Sequence, residues 1–406
     1  MLRSNFFRFA GLILVALAFT GTLQVAEAQT LELRDGERVV LIGGTLIERE
    51  QRDGYWEAML TSRYPDRNIT FRNLGWSGDT VWGESRAGFG TPADGYKALL
   101  EHVTALKPTV IIVCYGFNES FAGKPGLAKF IEGFESLTKA LSATKARIAV
   151  LAPLKMEAVN PPLPSASSVN DNLWHYVDAM HEVATARDFV SLDLYKWLQR
   201  YQTGDMPLRL TDNGIHLTPM GYWVTAGMLE NDLQFSPSGW RLDIDAAGKV
   251  VRQDGNTLSE INAGPDGATF TLTSRVLPVT AALREPGHSA SLRVACLKPG
   301  DYELLADGVR IAQASHEQWA GLVGMDDPHE LHQVEQLRAA IMLKNELYFH
   351  RWRPQNVTYL FGFRKHEQGN NAAEIPKFDP LIAEQEAKIA ELRVPKSHKF
   401  VLKKVQ

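Results

Sequence analysis

Residues Thr109–Tyr115 read TVIIVCY, a run that is β-branched and apolar on both of its alternating faces. A strand with no wet face belongs inside a parallel sheet covered by helices, whereas a half-exposed antiparallel strand would alternate apolar with polar. The run starts directly after Lys107-Pro108, where proline ends the amphipathic stretch Tyr96–Leu106. Working outward, the same alternation recurs. Arg38–Ile42, Ile69–Asn73, Arg147–Leu151 and Phe189–Leu192 read as strands. Leu46–Arg63, Lys129–Ser142, Asn170–Arg187 and Pro219–Leu229 read as helices. Five strands alternating with helices predict an α/β fold, a three-layer α/β/α parallel sheet with right-handed connections. Ligands in such sheets sit at the carboxyl ends of the strands, which directs the search for a site.

Beyond Gln234 the texture changes. Trp240–Ile244, Lys249–Gln253, Thr269–Ser274, Ser291–Cys296 and Asp301–Leu305 are short strand candidates separated by turn signals such as Asp254-Gly255 and Pro299-Gly300. Glu330–Leu347 and Asp379–Leu392 read as helices, and the chain ends in a basic tail from Lys396 to Lys404. At the other end, Arg3 and Arg8 precede an apolar run, Ala10–Thr20, and a small-x-small site at Ala26-Glu27-Ala28. That pattern reads as an export signal cut before Gln29, since the run is too short to span a bilayer comfortably. The expected organisation is a signal peptide over 1–28, the α/β domain over 29–233, and a small antiparallel β module over 234–315. A helical and extended region over 316–406 then packs on the core. The expected location is periplasmic or secreted, with no stable membrane insertion after cleavage.

Composition narrows the partners. Forty-three basic against 47 acidic side chains give a net charge of −4, without the basic excess of a nucleic-acid binder. Two cysteines, Cys114 in a core strand and Cys296 in the β module, supply neither a disulfide framework nor a paired zinc motif, and both are expected to stay free.

Four blocks follow predicted strands: Gly43-Gly44-Thr45-Leu46, then Asn73 to Thr80 (NLGWSGDT), then Gly116-Phe117-Asn118-Glu119, and finally Asp212 to Tyr222 (DNGIHLTPMGY). Their order and combination resemble the SGNH/GDSL hydrolases, esterases on a flavodoxin-like sheet. The resemblance covers about residues 38–231. It implies a hydroxyl nucleophile at Thr45, oxyanion donors at the Gly78 amide and the Asn118 side chain, and a general base at His216 oriented by an acid three residues earlier. It implies no metal or organic cofactor. Four positions in three blocks depart from the pattern. Gly43-Gly44-Thr45 stands where Gly-Asp-Ser is usual, which resembles a planctomycete-type Gly-x-Thr subgroup. Asn213 stands where the acid belongs, with Asp212 one residue too early, and Glu119 replaces a common aspartate.

Threonine can attack if a base takes its proton, but its methyl restricts χ1 and crowds the approach. Asn213 can orient an imidazole without stabilising its charge, whereas Asp212 would do both if the loop turned it to the ring. Each residue also has a plainer role. Thr45 with Glu48 has capping-box spacing. His216 could pack at a helix start, Asn118 could be a turn residue, and Asp79 could be a loop acceptor. Glu48 and Arg49 either form local ion pairs or bind a ligand. The aromatic and basic residues of His350–Asn356 and Phe361–His366 either line a pocket or, the favoured reading, pin an arm to the sheet's helices. The function expected is hydrolysis of an ester, an acyl ester of a carbohydrate or other small molecule. The alternative is a non-catalytic carbohydrate-binding or envelope-interaction protein on the same fold.

Overall fold

The computed structural model describes residues 31–159, 164–202, 209–280 and 289–405. The expected export signal, residues 1–28, lies outside them. No helix among the described residues is long and apolar enough to cross a membrane.

The first half builds the sheet. β1 (Arg38–Gly43), α1 (Thr45–Asp53), α2 (Tyr55–Ser62), β2 (Thr70–Asn73), α3 (Pro92–Ala105), β3 (Val110–Cys114), α4 (Gly123–Ser142), β4 (Arg147–Ala152), α5 (Ala166–Ala186), β5 (Val190–Asp193), α6 (Leu194–Gln202) and α7 (Pro219–Asp232) follow in turn. The strands run parallel in the order β2-β1-β3-β4-β5. Alternation sorts their side chains between two layers. Val39, Leu41, Val110, Ile112 and Cys114 join a core with α2 and α7. Val40, Ile42, Ile111, Val113 and Tyr115 join one with α3, α4 and α5. The order reverses between β1 and β3, so the crevice for a ligand lies past their carboxyl ends.

The helix predicted over Leu46–Arg63 is broken in two. Gly54 takes φ +65°, and its N–H bonds the Glu50 carbonyl 2.8 Å away, a left-handed cap that turns the chain before α2.

The second half holds β6 (Trp240–Ile244), β7 (Val250–Asp254), β8 (Asn256–Gly264), β9 (Gly267–Ser274), β10 (Ala290–Val294), β11 (Asp301–Ala306), β12 (Val309–Ser315), α8 (His316–Ala320), β13 (Val323–Met325), α9 (Pro328–Trp352), α10 (Val357–Leu360), α11 (Lys365–Gln368), α12 (Phe378–Leu392) and β14 (Ser397–Lys404). They form a four-stranded sheet, β13-β10-β6-β7, and a five-stranded one, β12-β11-β14-β9-β8. Pairing is antiparallel except between β6 and β10. The last residues are not a tail. β14 lies between β9 and β11, with His398, Phe400 and Leu402 inward and the lysines outward, and Phe400 stacks on Phe270 at 5.0 Å. α9 packs across α1 and α2, where the Lys344 ammonium meets the Glu57 carboxylate at 2.6 Å, both buried.

Candidate active site

The switch between β1 and β3 opens into a cavity of about 210 Å³. Thr45, Asn118 and His216 share its wall with Arg49, Phe117, Phe121, Lys155 and the Asp79 backbone turn. Three chain crossings bring them there.

The first is the β1–α1 junction. A Cβ on Gly43 would stand 2.3 Å from the Cys114 carbonyl oxygen, so only glycine lets β1 and β3 close at this level. Gly44 is the N-cap of α1 and Thr45 its first residue. The capping box is therefore not formed. The Thr45 hydroxyl has no hydrogen-bond partner among the described residues and stands free at a helix N-terminus, where the dipole favours developing negative charge. The Glu48 carboxylate turns away to accept the Ser77 N–H and to pair with Arg353 at 3.1 Å.

The second crossing follows β2. The Trp76 N–H bonds the Gly43 carbonyl at 2.9 Å, and the Asn73 amide bonds the Ile47 carbonyl at 2.6 Å. The turn Trp76–Asp79 closes with the Asp79 N–H on the Trp76 carbonyl and holds Gly78 at φ +78°, a conformation glycine adopts without strain. The Gly78 amide has no partner among the described residues. Gly78 itself is not on the cavity wall, but its neighbour Asp79 is. Asp79 is a structural acceptor, its buried carboxylate taking Arg86 Nε at 2.7 Å and the Tyr115 hydroxyl at 3.0 Å. Asn118, past β3, donates one amide hydrogen to the Asp79 carbonyl at 2.8 Å and keeps the other for the cavity. Beneath it, the Glu119 carboxylate accepts the N–H groups of Val81 and Gly116 and so joins the two loops. Burial pushes its pKa up to about 7 against the pull of those N–H groups.

The third crossing is the loop before α7. Its helix cap is Thr218, whose hydroxyl accepts the Gly221 N–H at 3.1 Å, so His216 has no capping duty. A residue from outside the four loop blocks shapes this loop. Buried Glu157, past β4, accepts from the Leu210 N–H, the Thr211 N–H and the Thr211 hydroxyl. A lone acidic residue in a connecting segment carries no sequence signal of that role.

Asn213 holds His216. Its Oδ1 accepts two main-chain N–H groups, from His216 at 2.9 Å and Ile215 at 3.2 Å. That fixes the amide, and the atom 3.0 Å from His216 Nδ1 is therefore Nδ2, a donor. Nδ1 must accept, so the neutral ring carries its proton on Nε2. Asp212 does not reach the ring. Its carboxylate lies 3.3 Å from the Arg49 guanidinium, which corrects the expectation that it could stand in for the missing acid. Burial, with Arg49 second, holds the His216 pKa below its ordinary value.

The C-terminal residues divide between the two readings: Arg351, Trp352, Pro354 and Phe361 line a second cavity of about 580 Å³, and some of the same side chains also anchor the segment. Arg351 pairs with Asp379 at 2.8 Å and Trp352 packs on His102 and Trp76. Cys114 and Cys296 are free, Cys114 buried and Cys296 half-buried. No cluster of three or more metal-ligating side chains occurs among the described residues.

Residues 42–224 match the model of the GDSL-like lipase/acylhydrolase family. No curated protein matches the sequence. Among solved structures, a gut microbial diltiazem-metabolizing enzyme is similar with a TM-score of 0.73 at 17% identity, over 93% of this chain and 100% of that one. Its likeness extends the shared fold through the β module and the C-terminal helices. LAE5, an alpha/beta hydrolase enzyme from the metagenome of Lake Arreo, gives 0.41 at 19% identity over 50% of this chain and 97% of its own. The acetylxylan esterase Axe2 of Geobacillus stearothermophilus gives 0.42 at 17% identity over 51% and 98%.

Proposed function

We propose, from the premise that residues 42–224 are a domain of the GDSL-like lipase/acylhydrolase family, that this protein hydrolyses short acyl esters of carbohydrates outside the cytoplasm. The observation that carries the reading is the meeting of Thr45, Asn118 and His216 in one small cavity at the switch point of the sheet.

The cavity is smaller than the roughly 300–1,000 Å³ of drug-sized sites, which suits a short acyl group with the alcohol left outside. At its wall Phe117 and the half-exposed Phe121 meet edge to face at 5.6 Å, a ledge on which a sugar ring could stack. Thr45 Oγ1 attacks the ester carbon while His216 Nε2 takes its proton. The free Asn118 N–H, on the cavity wall, receives the oxyanion, and the unpartnered Gly78 N–H, one residue before the wall residue Asp79, is the second donor the family pattern implies. His216 returns the proton to the departing alcohol, and water, activated in the same way, releases the acid and Thr45. Asn213 sets the speed. A base at Nε2 needs the ring proton on Nδ1, where the Asn213 NH₂ opposes it, so turnover is slow. The Gly-Gly-Thr block and Asn213 together mark a variant subgroup of the family.

The same contact favours a second reading, a carbohydrate-binding protein that has left catalysis. A ring presenting Nε2–H is a ready hydrogen-bond donor to a bound sugar. Assays on p-nitrophenyl acetate and acetylated oligosaccharides separate the two. Turnover abolished in His216→Ala supports hydrolysis. Calorimetric binding without turnover supports the second reading, and turnover unchanged in His216→Ala refutes the mechanism. Export rests on the pattern of Arg3 to Ala28 and is tested by sequencing the N-terminus of the mature protein, expected at Gln29.

A further inference from the structure

We propose that Arg353, far outside the acylhydrolase domain, is a positioning residue for the oxyanion turn, an inference that rests on the ester-hydrolysis reading. Arg353 caps the end of α9. Its guanidinium carbon lies 3.5 Å from the centre of the Trp76 ring, and its Nη1 lies 3.1 Å from Glu48 Oε2. The same Glu48 oxygen accepts the N–H of Ser77, the residue before Gly78. Glu48 sits one helical turn after Thr45 on α1. One carboxylate therefore ties the helix that begins at the nucleophile to the turn that carries an oxyanion donor, and Arg353 is its counter-charge.

The tie needs that counter-charge. Glu48 is nearly buried, and a buried carboxylate that loses its cation swings toward water. That swing releases Ser77. The stack matters equally. Trp76 is held by Arg353, by Arg86 at 5.4 Å and by the edge of Trp352 at 5.9 Å, so the turn cannot slide along α1 while the guanidinium stays flat against it. Arg351, two residues earlier, pairs instead with Asp379 inside the C-terminal region and serves as an internal control. The C-terminal helices thus complete a site whose reacting groups all come from residues 45–216.

The test compares Arg353→Ala, Arg353→Lys and Arg351→Ala in the full chain by steady-state hydrolysis of p-nitrophenyl acetate and by hydrogen exchange of the peptide spanning residues 74–82. Displacing a catalytic donor by about 1 Å costs on the order of 10²-fold, so Arg353→Ala should lower kcat about 10- to 100-fold with KM little changed. It should also speed exchange at Ser77. Arg353→Lys, which keeps the charge on Glu48 but not the flat stack, should fall between Arg353→Ala and the unmodified protein. Arg351→Ala should move neither readout. Equal effects of Arg353→Ala and Arg351→Ala on both readouts would overturn the proposal. If the unmodified protein shows no turnover, the ester-hydrolysis reading fails on its own, and the exchange comparison still decides whether Arg353 holds the turn.

Discussion

On the ester-hydrolysis reading, Asn213→Asp should raise turnover sharply. The substitution exchanges one atom and leaves the rest of the loop its partners. Asn213 Oδ1 already accepts the His216 and Ile215 N–H groups, and an aspartate Oδ1 would do the same. The second oxygen would replace Nδ2 at 3.0 Å from Nδ1, an acceptor where a donor now stands. The ring proton then moves to Nδ1 and Nε2 becomes a base facing the cavity. In a serine-protease triad the reverse change, acid to amide, lowers kcat about 10⁴-fold through the wrong tautomer. Here the new carboxylate lies beside Asp212 and near Arg49, so a gain of about 10²- to 10⁴-fold in kcat/KM is expected, about 3–5 kcal/mol of barrier. The pH profile should move with it. Activity on the acid side requires neutral imidazole. In the natural protein burial and Arg49 hold the His216 pKa low, and a carboxylate on Nδ1–H favours the charged ring. The acid limb of Asn213→Asp should therefore lie at higher pH. Stopped-flow or steady-state hydrolysis of p-nitrophenyl acetate measures both effects. A correctly folded Asn213→Asp with unchanged kcat/KM and an unmoved acid limb would refute the tautomer argument.

Thr45→Ser removes the γ-methyl and should raise kcat, while Thr45→Ala should abolish formation of an acyl-enzyme; the same assay with rapid quenching checks both. Glu57→Ala strands the buried Lys344 ammonium and should cost about 3–5 kcal/mol in denaturant unfolding; a loss below about 1 kcal/mol would contradict the pairing. Burial raises the Glu50 pKa from 4.5 to about 8 in the folded chain, with Glu57 adding to the rise. The folded state then holds a proton that the unfolded state has released between those values, so this group's contribution to stability falls as pH rises from 4.5 to 8. Glu50→Gln, whose oxygen can still accept the Trp56 N–H, should flatten that decline in melting temperature, and an unchanged slope would count against it.

The parallel sheet was legible because its strands announce themselves. TVIIVCY has no wet face, and the residues of β1 and β3 alternate between two apolar layers as that pattern requires. The break at Gly54 was not legible, since a glycine inside an amphipathic stretch reads equally well as a tolerated one. β14 was hidden by its lysines: charge suggested a tail, while the period of two in His398, Phe400 and Leu402 carried the strand. The four loop blocks could be placed at strand ends, but which polar atom faces which could not. Asp212 and Asn213 are adjacent in sequence, and only the folded loop sends one to Arg49 and the other to His216. Glu157 reaches the loop before α7 from a connecting segment with no local pattern to mark it, and Arg353, though part of the conspicuous basic-aromatic stretch His350–Asn356, could not be matched to Glu48 without the fold.

The most direct measurement is mass spectrometry of the protein quenched during turnover of p-nitrophenyl acetate. An acetyl group is expected on the peptide that contains Thr45, enriched while substrate lasts and missing in Thr45→Ala and His216→Ala. Steady hydrolysis with Thr45 unmodified, or with equal turnover in Thr45→Ala, would contradict it.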